Sequence, residues 1–152
     1  MESTQESHRT VDITNGFQLE QPRVLVPWGI TPVELESLFE GLGLRRVGDG
    51  FSLASCISLG GLSHSLQFSF GPTSGKLSEI GMLMPDTSIE ESYPQLQQHL
   101  EETFGLSTRT SPGEEGFLDH IWLLAGVRIQ HYVHEHFGPA ERVFITKVDQ
   151  YF

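Results

Sequence analysis

Sulfur chemistry has almost no material here, because the 152-residue chain holds a single cysteine, Cys56. One thiol excludes a disulfide framework and cysteine-ligated zinc. Its surroundings, SLASCISL, supply no basic neighbour to lower its pKa, so Cys56 reads as a core thiol in a reducing compartment. Cations are scarce too. Nine Lys and Arg stand against 20 Asp and Glu, for a formal net charge of −11. A grip on phosphate backbones needs clustered cations, so nucleic acid is not an expected partner. Residues 1–86 carry five basic against ten acidic residues and residues 87–152 four against ten, so the charge belongs to the body of the chain. A field of that sign attracts a basic partner and speeds encounter. No apolar run approaches a membrane span, and the start MESTQESHRT lacks the apolar stretch of a signal peptide. The expectation is a cytoplasmic protein with no membrane partner.

What is present suffices for a core. Hydrophobic residues make up 38% of the chain and ten are Phe, at a length suited to one domain. The polar beginning reads as a flexible segment over 1–15, followed by a single α+β domain over 16–152.

Within that domain the sequence repeats itself. FGP occurs at 70–72 and 137–139; at the same displacement Leu62 pairs with Ile129, His64 with His131 and Leu66 with Val133. Farther back Pro32 pairs with Pro94, Leu38 with Leu100, Leu42 with Phe104 and Gly43 with Gly105. This pattern predicts two degenerate α-β-β-β repeats, about 31–85 and 88–149, forming an antiparallel sheet with helices packed on one face. Thr31 with Glu34, around Pro32, predicts a capping box and a helix that ends at Gly43 with Leu35, Leu38, Phe39 and Leu42 on one face. Ser88 with Glu91 predicts a second box, with Pro94 kinking the helix or delaying its start to Tyr93. Strands follow at 51–59, 61–70 and 76–84, then at 117–125, 127–137 and 142–148. The leading segment FQLEQPRVLVPWG predicts an edge strand, since Pro22 and Pro27 bar it from the centre of a sheet.

HYVHEHFGP, 131–139, raises the question of a metal, and alternation answers it. Val127, Ile129, His131 and Val133 share the core side of a strand, whereas Arg128, Gln130, Tyr132, His134 and His136 share the solvent side. His131 therefore points away from the other two, and a pair of ligands does not complete a site. No cofactor is expected, and His64 and His131 read as satisfied histidines at a layer boundary. Other motifs carry less. GPTSGKL, 71–77, has too short a glycine spacing and no Ser or Thr after its lysine for a phosphate loop, so it is a hairpin turn. In GLSHS, 61–65, Ser63 and His64 diverge along a strand. Trp28 and Trp122 read as core anchors.

With no complete catalytic constellation, the expected role is non-enzymatic protein binding. The face bearing Arg128, Gln130, Tyr132, His134 and His136 is rich in the residue types that anchor interfaces. The class that fits is a bacterial immunity protein, the antitoxin half of a toxin pair, occluding a basic toxin or secreted effector. The alternatives are a chaperone or adaptor for a secreted protein, and a metal-dependent hydrolase using His134 and His136.

Overall fold

Apolar residues at alternate positions are what a sheet with one buried face requires, and the two central hairpins supply them. A computed structural model describes residues 13–84, 87–135 and 139–150. In chain order the elements are β1 (Gly16–Gln18), β2 (Leu25–Pro27), α1 (Pro32–Leu38), β3 (Arg45–Val47), β4 (Gly50–Ser58), β5 (Leu62–Phe70) and β6 (Leu77–Leu83). There follow α2 (Ile89–Phe104), β7 (Arg109–Ser111), β8 (Asp119–Leu124), β9 (Val127–Glu135) and β10 (Pro139–Lys147). The large sheet has eight strands in the order β3-β4-β5-β6-β10-β9-β8-β7, every pair antiparallel. The mixed α+β architecture expected from the sequence is therefore present. The strands of the two chain halves meet at the β6–β10 seam, where Gly81 faces Phe144 and Ile80 faces Ile145.

One face of this sheet is buried. Phe51, Leu53, Leu66, Phe68, Ile80, Met82, Trp122, Ile129, Val143 and Ile145 line it, and α1 and α2 cover it with Leu35 and with Leu96, Leu100 and Phe104. Each such apolar side chain contributes about 1.5–3 kcal/mol by leaving water. The leading segment forms a small sheet of its own and meets β4 of the main sheet through an antiparallel bridge between Gln21 and Ile57. β1 and β2 pair only with each other, and their Phe17 and Val26 drop into the same core. The approach is close enough that a Cβ on Gly16 would overlap the Val26 carbonyl oxygen. The Glu20 carboxylate ties this small sheet to the β4–β5 turn by accepting the Gly60 and Gly61 amides at 2.7 and 2.9 Å. Packing reaches back to Ile13, which is buried and whose carbonyl accepts the Trp28 indole N–H, three residues before the expected boundary at 16.

The helices also depart from expectation in detail. The Thr31–Glu34 capping box forms, but α1 ends at Leu38 and not at Gly43, leaving Leu38 and Leu42 exposed. α2 begins at Ile89 and runs through Pro94, because Tyr93 on one side and Leu96 and Leu100 on the other are fastened to the core. Ser88 is its N-cap, yet the hydroxyl donates to the Glu91 carboxylate at 3.1 Å and accepts no helix amide, so the second box is incomplete. Each half also has a fourth short strand, β3 and β7, which become the sheet edges.

Candidate functional site

The register fixes which side chains share the open face. Val127, Ile129, His131 and Val133 are buried, so the intervening Arg128, Gln130, Tyr132 and His134 point outward, as the alternation predicts. His136 lies outside the described residues. Pairing carries the outward set across the sheet: Gln130 is opposite Phe144 and Ile121, Tyr132 opposite Arg142, and Arg128 opposite Thr146 and Leu123. Phe144 in turn covers Gly81, whose missing side chain makes room for the ring; a Cβ there would lie 3.2 Å from it. Beyond Gly81 the first half presents Gln67, Ser65 and Ser69. The aromatic and most of the basic side chains of the open face thus lie on one half, with Arg45 and Glu79 on the other.

Around Tyr132 the surface dips into a hollow of about 490 Å3 between β9 and the 112–119 segment. Its floor is held by Gln130, whose amide donates to Asp119 at 3.2 Å, and its rim by His134, 3.8 Å from Glu114. Tyr132 is half-buried beside the Phe144 ring, 6.4 Å away, and burial pushes its phenol above the usual range while the Arg142 guanidinium opposes that rise. Arg128, Gln130, Tyr132 and His134 do share a face, but they form no catalytic or metal constellation. Among the described residues no group of three or more His, Cys, Asp or Glu is placed to hold a metal ion.

The buried face of the same strand contains chemistry that the sequence only half disclosed. The His131 ring is fully buried, with Nε2 2.6 Å from Glu141 Oε2 and Nδ1 2.8 Å from Gln97 Oε1. The Gln97 amide nitrogen donates to Glu101 at 2.9 Å, which orients its oxygen toward the imidazole. The ring is thus held at both nitrogens, by a strand carboxylate and by a helix amide. Tyr93 stacks on this ring at 4.2 Å, and its own hydroxyl donates to the Leu118 carbonyl. Burial, with Glu141 nearby, pushes the Tyr93 phenol up to about 12. Ser92, His131 and Glu141 have the composition of a hydrolytic triad, yet the Ser92 hydroxyl donates to Glu141 and not to the histidine, and the ring has no access to solvent. The cluster fastens α2 to β9 and β10.

His64 is likewise buried, on β5, with different partners. The Ser58 hydroxyl meets Nε2, the Ser65 carbonyl lies 3.2 Å from Nδ1, and the Cys56 sulfur 3.5 Å from Nδ1. Burial holds this ring below the usual histidine range and drives the Cys56 thiol up to about 12, so both are neutral core groups. The partners Glu141, Ser92 and Gln97 were missed in the sequence, where nothing links a helix serine to a strand carboxylate 49 residues away or a helix glutamine to a strand histidine 34 residues away.

No protein-family model, curated protein or solved structure matches this chain. No helix among the described residues is long and apolar enough to cross a membrane.

Proposed function

We propose that the chain is a non-enzymatic protein-binding module that docks a partner on the open face centred on Tyr132. The observation that carries the proposal is a wide sheet face left free of helices and furnished, on one half, with Tyr132, Phe144, Gln130, Arg128, Arg142 and the exposed Leu123. Tyr and Arg beside apolar contact area are the residues that carry binding energy in interfaces. The biological class we assign is that of immunity proteins, which neutralise a toxin or secreted effector by covering it, acting in the cytoplasm. An internal duplication belongs to the same reading. It is supported by a strand order that reads alike outward from the β6–β10 seam and by the paired buried histidines, His64 and His131.

The test begins with partner capture from the native host, followed by reconstitution of the identified protein in purified form. A 1:1 complex that abolishes the partner's activity is the expected result. Tyr132→Ala is expected to weaken it by about thirtyfold, the scale of a hot-spot truncation of about 2 kcal/mol, in isothermal titration calorimetry. Unchanged affinity for that purified partner would remove the Tyr132 face from the account.

A further inference from the structure

We infer that the partner surface recognised by the open face is acidic. The inference rests on the docking reading above and assigns the chemistry of the contact. Pairing places four of the chain's nine basic residues on this face: Arg45 opposite Ser52, Arg109 opposite Ile121, Arg128 opposite Leu123 and Arg142 opposite Tyr132. Arg45, Arg109 and Arg128 are exposed and Arg142 is half-exposed. Among the described residues none of the four has a carboxylate partner. The carboxylates placed here, Glu79, Asp119 and at the rim Glu114, are fewer than the four arginines. Glu79 accepts from Thr146 at 3.0 Å and Asp119 from Gln130 at 3.2 Å. In a chain of net charge −11, the one face without helices thus carries a surplus of unpaired guanidinium groups.

Spacing distinguishes the kind of anion. Arg45 and Arg109 sit on opposite edge strands, seven strand intervals or roughly 33 Å apart at the usual spacing. Arg128 and Arg142 lie between them. A spread of that size suits carboxylates scattered over a protein surface and not a single phosphate group. Ile121, Leu123, Tyr132 and Phe144 occupy the ground between the cations and would be left facing water against a sugar-phosphate backbone. Guanidinium groups favour bidentate pairing with carboxylates.

Net charge alone pointed to a basic partner. Exposed charges are screened within about 8–10 Å at ordinary ionic strength, so the overall charge governs approach while the local arginines govern contact.

The test titrates the 15N-labelled full chain with poly-L-glutamate, poly-L-lysine and a single-stranded oligodeoxynucleotide, following amide shifts along β8, β9 and β10. Poly-L-glutamate is expected to shift those amides. The Arg128→Glu/Arg142→Glu variant is expected to lower the response about fivefold or more, the scale of losing two exposed ion pairs and gaining repulsion. If that variant loses the dispersed spectrum of the folded chain, Arg45→Glu/Arg109→Glu at the sheet edges carries the same test. Shifts produced by poly-L-lysine in place of poly-L-glutamate, a response unaltered by charge reversal, or no shift on the face up to millimolar probe would each overturn the acidic assignment. A stronger response to the oligodeoxynucleotide would replace it with a phosphate backbone. The docking reading is decided separately, by Tyr132→Ala against the purified partner.

Discussion

His131 and Tyr132 are neighbours in the chain and look out of opposite sides of the sheet, one into a buried carboxylate and the other toward solvent. Removing the carboxylate strands the imidazole in the core. Glu141→Ala is therefore expected to cost about 1–3 kcal/mol, measured as the loss of unfolding free energy in urea. Replacing His131 and Glu141 together by leucine leaves the Ser92 hydroxyl and the Gln97 amide oxygen without these partners, so Ser92→Ala added to that pair should recover part of the loss. His64 gives a pH dependence of known sign. Its folded pKa lies below the ordinary histidine value, so the unfolded chain binds a proton that the folded ring resists. Its contribution to stability is complete above about pH 6.5 and is lost as pH falls below it, by up to about 1.4 kcal/mol per pH unit. Urea unfolding at pH 7.5, 6.0 and 5.0 should show that decline, and His64→Gln should flatten it.

Among the elements, the two helix starts offer an internal comparison. Thr31 accepts the Glu34 amide at 3.3 Å, while the Glu34 carboxylate accepts the Thr31 amide at 2.8 Å. Thr31→Ala should cost about 1 kcal/mol. Ser88→Ala should cost less than half as much, since that hydroxyl takes no helix amide; equal losses in parallel urea titrations would contradict the assignment. Helix and strand identity was legible because period and capping residues are local properties of the chain. The sheet edges were not. Arg45–Val47 and Arg109–Ser111 are three residues each, fully exposed and without alternation, so only their pairing with β4 and β8 makes them strands. Leu42 misled for a related reason, since the helical stripe continued in sequence after Gly41, with φ of 75°, had already turned the chain away.

For the molecule as a whole, charge and topology set the behaviour. Self-repulsion at −11 is relieved when salt shortens the screening length from about 30 Å at 0.01 M to about 3 Å at 1 M. Stability is expected to rise with sodium chloride over that range by on the order of 1 kcal/mol, read from urea midpoints. The outward set on β9 was legible from alternation alone, whereas the arginines that join it from β3, β7 and β10 needed the strand order. The seam has a further consequence. Glu79 and Thr146, opposite each other there, are 67 positions apart in sequence, and β10 lies between β6 and β9. On a translating ribosome, the ribbons built from β3–β6 and from β7–β9 must each wait with a raw inner edge until residue 147 clears the exit tunnel. Completion of this sheet thus waits on its last strand to emerge, and any chaperone attending synthesis would meet those two edges.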